Sequence, residues 1–535
     1  MTSIGRSSLC CLCLIICAGS VSLGTITDGV DYGPFISYRV AIPLSKSTTA
    51  RPVESTSGSK KKHKKEIEPR SVVYKGITVS LDQNTSVCFD TDLMRYAAGW
   101  TGGFLDMADT NAGSKSGHDD SEPIGEIRWT TDVAPGAIIG AGSFIDPRPD
   151  KQGPLPRTTA HYRGLYKNGT HVVFSYTVGN VGVYDLPGVI ASGSDVLFTR
   201  TLQVDKSTAP VSILLADLAG ATPTSVASGA GHITAMSLGP NAVAAVLLDR
   251  AAAGATLAAM GGKLVLSVPA HTTAMTLRVG LWSGAASDLG KLAARVSNAP
   301  AADDIASLIA GGPPQWGHPI ATPGALGADK AAYVVDTIGL PESNPWGCRI
   351  KPGGLDFFKD GRVALCTYSG DVWIVSGLDD TLGHVTWKRF AAGLYETLGL
   401  KVVDDQIYVL GRDQITLLHD LKGSGEADFY ENFNNDQIAA DSYHAFAFDL
   451  QTDSHGDFFY SIDGNLVDPT VRLHGIIMKV SKHGDRSEVY ARGLRAPRVE
   501  EVGNFPALDQ KPRPFPTHCF ELRAVSPANC VVIGM

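Results

Sequence analysis

The stretch HDLKGSGEADFYE, residues 419–431, has the residue types of a calcium loop. Asp420, Ser424, Glu426, Asp428 and Glu431 stand at positions 1, 5, 7, 9 and 12 of that template, with Gly425 at position 6 for the turn. Calcium takes six to eight hard oxygens, so this spacing is chemically apt. Lys422 is discordant, because a cation at position 3 opposes the metal. The alternative is a glycine-rich turn between two strands. A second candidate is His444, just ahead of the apolar run AFAFDLQ. An imidazole titrating near neutrality suits the removal of a hydroxyl proton. It equally suits a residue that only caps a strand. A third group is Asp90, Asp92 and Asp106 around GWTGGF, where carboxylates beside an exposed Trp100 would suit a carbohydrate. Carboxylates in such turns more often bind backbone N–H groups. No G-x-S-x-G, H-E-x-x-H or P-loop occurs, so hydrolase, zincin and NTPase readings lack support.

The elements that would position these residues read as strands. The chain has 535 residues, 58 of them Gly and 30 Pro, which suits many short strands joined by turns. From about residue 333 a repeat appears. GLDFFKDGRVAL, GLKVVDDQIYVL and AFDLQTDSHGDFFYS each read as strand, polar turn, strand. They begin at Gly354, Gly399 and Ala447, 45 and 48 residues apart, a spacing found in propeller blades. The expected fold is therefore all-β: a β-sandwich-like domain over 71–310, then a partial β-propeller of about three to four blades over 333–497. Helical signal is confined to Asp288–Val296 and Ala302–Ile309. Residues 311–332, rich in Gly, Pro and Ala, read as a linker. Residues 23–70 read as a segment of low order that includes the Lys-rich run Lys60–Lys65. Trp346, Trp373 and Trp387 read as core packing.

Residues 1–22 have the pattern of a secretory signal: Arg6, then an apolar run over Leu9–Ala18 too short to span a bilayer, then Ser20 and Ser22. Export to the periplasm or exterior is expected, with lipid anchoring disfavoured by Ile16 before Cys17. No later stretch reads as a transmembrane helix. Export would permit disulfides, and Cys348 with Cys366 is the nearest pair. There is no C-x-x-C-H, so no covalent haem is expected in this chain. A net charge of −8 gives no reason to expect nucleic acid. After GLRAP the blade pattern stops, and residues 498–535 read as a non-native or disordered tail, as a frameshift would produce.

The repeat segment resembles the glucose/sorbosone dehydrogenase-like β-propellers of very large exported bacterial proteins, known as membrane-bound dehydrogenases or haem-binding proteins. The matching strings are VVDTIGLPESNPW (334–346), GLDFFKDGRVALCTYSGDVWIVSGLDD (354–380), TWKRFAAGLYETLGLKV (386–402), IYVLGRDQITLLHDLKGSGEADFYENFNND (407–436), HAFAFDLQTD (444–453) and VYARGLRAP (489–497). The region ahead of it resembles the uncharacterised module that precedes this propeller, through VYKGITVSLD (73–82), VCFDTDLMRYAAGWTGGFLDM (87–107), GPLPR (153–157) and RGLYKNGTHVVFSYTVG (163–179). The resemblance implies oxidation of a sugar or sugar-derived alcohol, with pyrroloquinoline quinone and calcium as cofactors and a cytochrome c-type acceptor. It makes His444 the base and Arg495 a quinone contact. Family members continue into further modules that this sequence lacks, so a shortened and inactive relative is one expectation. The alternative is a non-catalytic propeller scaffold that binds carbohydrate or protein.

Overall fold

The computed structural model describes residues 29–43, 70–107, 110, 120–192, 195–226, 233–248, 254–296, 299–328, 334–439, 445–464 and 473–493. The signal-like residues 1–22, the Lys60–Lys65 run, His444, Arg495 and the tail 498–535 all lie outside them.

The described chain is all-β, as expected, with two short α-helices, Leu289–Val296 and Ile305–Leu308, where the helical signals fall. Two large antiparallel sheets dominate. The first begins Phe35–Pro43, Arg70–Leu81, Thr85–Asp90, Arg95–Thr101 and continues through Glu126–Thr130 to Val211–Asp217. The second includes Val181–Ser192, His171–Val178 and Ala160–Asn168 in neighbouring positions. Alternation along these strands turns Val79, Phe89 and Tyr96 of one sheet and Phe174, Tyr176 and Phe198 of the other into one core. Phe89 and Phe174 stack there at 4.3 Å.

The repeat forms three four-stranded antiparallel meanders. The first runs through Pro352–Phe357, Val363–Thr367, Val372–Ser376 and Thr386–Ala391. The second comprises Gly399–Val403, Gln406–Leu410, Ile415–His419 and Phe429–Asn434. The third comprises Ala447–Thr452, Phe458–Ile462, Ile476–Val480 and Ser487–Arg492. They pack face on face: Tyr408, Leu410, Ile415 and Leu417 of the second share a cluster with Leu450, Phe458 and Tyr460 of the third. Their first strands lie side by side. Asp449 N–H donates to Leu398 O at 3.3 Å, and a Cβ on Gly399 would stand 2.8 Å from the Asp449 carbonyl carbon.

The domain boundaries expected from the sequence need correcting. The second meander is not separate from the module before it. Its strand Phe429–Asn434 pairs with Ala160–Asn168, so module and meander share one twelve-stranded sheet. Gly164 makes the seam close. Its φ is +134°, and a Cβ there would meet Tyr430 O at 2.3 Å. The expected linker is also packed. Trp316 is 2% exposed, and Ile320–Ala321 adds an edge strand to the first meander. A run rich in Gly and Pro followed the surface in close contact because Trp316 offered large apolar area to bury. Within the segment expected to have low order, Phe35–Pro43 is a buried strand paired with Arg70–Leu81.

The disulfide expectation fails as well. Cys348 and Cys366 are both free and buried. On the strand Val363–Thr367 successive side chains face opposite ways. Cys366 joins the shared core, whereas Val363 and Leu365 face the cluster that holds Cys348, so the sheet separates the two thiols.

Past Asp185 the second large sheet forks. His171–Val178 pairs with Val181–Ser192 only as far as Phe174 and Asp185. Beyond that point Leu186–Ser192 stays with its other neighbour, Asp195–Val204. Ile305 fills the gap between Val173 and Leu186.

Candidate functional site

Turns and connections at one end of the meanders bring charged residues together. Glu396 lies in the connection from the first meander to the second, and Arg412 in the turn between two strands of the second. Arg412 Nη1 donates to Glu396 Oε2 at 3.0 Å, and Tyr38 Oη, from the first strand of the module, donates to Glu396 Oε1 at 2.8 Å. Glu396 has φ +45°, an uncommon conformation for a residue with a side chain, and its carboxylate is held from both sides. The Arg412 guanidinium lies 5.0 Å from the ring of Phe446, which leads into the third meander. Tyr38 also packs on Tyr395 at 4.7 Å. Burial, and next the Glu396 charge, raise the Tyr38 hydroxyl well above its ordinary pKa, so it stays a donor.

A second cluster lies at the same junction. Lys75 Nζ donates to Asn435 O at 2.8 Å and Gln437 O at 2.6 Å, and pairs with Asp92 Oδ1 at 3.0 Å. Burial pushes the nearby Asp413 carboxyl up to about 7, with Lys75 pulling the other way. Burial likewise raises Asp92. A carboxyl that titrates near neutrality is the kind of group a proton transfer needs. Asp413 is nevertheless buried, at 6% exposure.

A third pair, Asp371 and Arg389, is fully buried. Arg389 Nε donates to Asp371 Oδ1 at 3.0 Å, and its guanidinium stacks 3.9 Å from Trp316. These pairings tie the N-terminal strands and the segment around Trp316 to the meanders.

The calcium expectation meets a different geometry. Asp420 accepts from Ser424 N at 2.8 Å and Gly425 N at 2.7 Å. Asp428 accepts from Leu421 N at 2.8 Å and Gly312 N at 3.2 Å. Glu426 accepts from Gln315 N, Trp316 N and Lys388 Nζ, the last at 2.6 Å. Glu431 lies 2.7 Å from His419 Nε2. Ser424 Oγ lies 3.4 Å from Asp420 Oδ1. The five residues do not converge, because backbone N–H groups and Lys388 take their oxygens. They do not fit a calcium ion. Among the described residues no group of three or more His, Cys, Asp and Glu could hold a metal.

His444 and Arg495 lie outside the described residues. Among the described residues at this end, Arg412 pairs with Glu396 and lies over the ring of Phe446. The aromatic platform expected at Trp100 is absent: Trp100 is fully buried and donates to Phe104 O at 3.0 Å, while Asp90 pairs with Arg95. Trp373 and Trp387 are core residues, as expected. Sequence reasoning passed over Glu396, Arg412, Asp413 and Lys75. The one signal was GRDQ at 411–414, a charged pair in a tight turn between apolar strands.

Residues 87–185 match a family described as a domain of unknown function, DUF6797. No curated protein matches the chain. A solved structure of a polysaccharide lyase is similar over 65% of this chain and 45% of that one, with 9% identity and a TM-score of 0.21. The chain thus spans less than half the length of that protein, and the likeness is too slight to define a common fold. No described helix is long and apolar enough to cross a membrane.

Proposed function

We propose that the chain is a rigid binding scaffold of an exported protein, in which successive propeller blades are locked to the preceding module to hold carbohydrate or another exported protein. The observation that supports this most is the shared twelve-stranded sheet across Gly164–Tyr166 and Phe429–Glu431. The charged layer at the meander ends agrees with it, because Glu396, Arg412, Lys75 and Asp92 hold pieces of the protein together. The three stacked meanders with adjacent first strands would be its blades. The test is binding by the full chain to an array of neutral and acidic glycans and to exported proteins of its own source. Retention of a defined glycan or protein supports the scaffold; retention of neither overturns it.

A second reading is sugar or alcohol oxidation by a dehydrogenase-like propeller. It rests on the resemblance of the repeat segment to dehydrogenase-like propellers and on His444 standing just ahead of the apolar run AFAFDLQ. His444 would then receive a sugar hydroxyl proton, and Arg495 would contact the quinone. Pyrroloquinoline quinone supplies hydride acceptance when bound, and a cytochrome c-type protein would take the electrons. Adding the quinone and calcium to the full chain, with a sugar panel and a redox dye, tests this reading. Dye reduction abolished by His444→Ala supports it. Equal reduction by the variant, or none by the parent, removes it.

A further inference from the structure

The fork in the second large sheet opens a polar cleft of about 100 Å³. Its walls follow from strand alternation. Phe198 and Leu202 point into the shared core, so Thr199 and Thr201 point to the opposite face. Arg278 pairs across from Thr201, and Gly188 across from Thr199, which places all four in two adjacent rows. Gly188 keeps the floor low: a Cβ there would stand 2.9 Å from Thr199 Oγ1. Pro187 sits where the strand has left one neighbour, so its missing N–H breaks no ladder on that side. Ser80 and Asp82 reach the cleft from the first large sheet, and His171 and Asp303 stand at its rim, 3.8 Å apart.

The donor and acceptor types are mixed. Ser80, Thr199 and Thr201 each carry a hydroxyl that can donate or accept. Asp82 and Asp303 only accept when ionised, and Arg278 only donates. Arg278 is fixed from behind, with Nη1 donating to Pro300 O at 2.9 Å. A simple anion would meet two carboxylates, and a simple cation would meet a guanidinium. A neutral polyol, whose hydroxyls alternate as donors and acceptors, is complementary to both. We propose that this cleft binds the edge of one neutral sugar ring, as the glycan subsite of the scaffold. The proposal rests on the scaffold reading and narrows it to one ligand class and one place.

The test uses the full chain titrated with methyl β-glucoside, xylose, galactose and cellobiose, followed by saturation-transfer NMR and calorimetry. Inorganic phosphate and glucuronate serve as anionic probes. The expected result is saturable binding of at least one neutral sugar, weakened about tenfold or more, a loss of roughly 1.4 kcal/mol, by Asp303→Ala and by Gly188→Ala. Asp303 is 58% exposed at its side chain, so its removal spares the fold, and unchanged thermal unfolding would show this. Thr201→Val supplies a second, shape-conserving probe of the inner wall. Sugar binding that all three variants keep would overturn the cleft while leaving the scaffold intact. Preference for phosphate or glucuronate would overturn the polyol assignment. Absence of sugar binding would overturn the proposal, and the scaffold would then stand or fall on its protein partners.

Discussion

At the meander ends, Glu396 takes one proton donor from Tyr38 and one from Arg412, and almost no water reaches it. At the fork of the large sheet, Asp303 stands more than half exposed, with His171 Nε2 3.8 Å away. Both regions draw together carboxylates and basic side chains from strands, turns and connections. In the first, burial leaves a charge no option except a partner within the protein. In the second, solvent competes with that partner, and side chains stay able to exchange it for a ligand. Charge density alone therefore says little about function; the water supply of each group decides whether it fastens or receives.

The largest break in this comparison should come at Asp371→Ala. It leaves Arg389 buried without its carboxylate, and the loss expected is about 3–5 kcal/mol, read as a shift in the urea midpoint. A loss under 1 kcal/mol would mean the pair is not a fastening. Next comes Asp413. Its folded pKa of about 7 lies above the ordinary value near 3.9, so the folded state holds the proton more tightly than the unfolded one. Stability from this group is complete below pH 4 and declines as pH rises through 7. Asp413→Asn should remove that decline, worth about 2–4 kcal/mol between pH 4 and pH 8. Identical pH profiles for variant and parent would remove Asp413 from the account. Tyr38→Phe should cost about 1.5–3 kcal/mol, since a buried carboxylate loses a donor. At the fork, Asp303→Ala should stay within about 0.5 kcal/mol of the parent in stability and change sugar binding alone. If it unfolds the protein as Asp371→Ala does, the contrast between the two regions collapses.

Much of this was legible in the residues. The three meanders follow from apolar strand–turn–strand units at Gly354, Gly399 and Ala447, because period-two burial on a sheet has a plain sequence signature. Both helices fall where the helical signal lay, at Asp288–Val296 and Ala302–Ile309. The seam at Gly164 was not legible, since pairing between Tyr166 and Phe429 joins residues more than 260 positions apart and leaves no local pattern. The calcium template misled for a physical reason. Acidic residues around Gly425 satisfy a metal loop and a hydrogen-bonded turn equally well, and only the direction of Gln315 N and Trp316 N toward Glu426 separates the two. Cys348 and Cys366 were close in number yet on opposite sides of a sheet, which a spacing cannot express.

The seam also governs how the molecule would come apart. Lys167 N–H donates to Asp428 O at 2.8 Å, Tyr166 stacks on Phe429 at 4.2 Å, and Gly164 admits the neighbouring backbone. A protease that cuts in the stretch around residues 311–328 would sever the covalent path and leave this non-covalent one holding both pieces. The two fragments should travel together on a sizing column until denaturant is added. By that measure the described chain has no joint at the place where its composition changes.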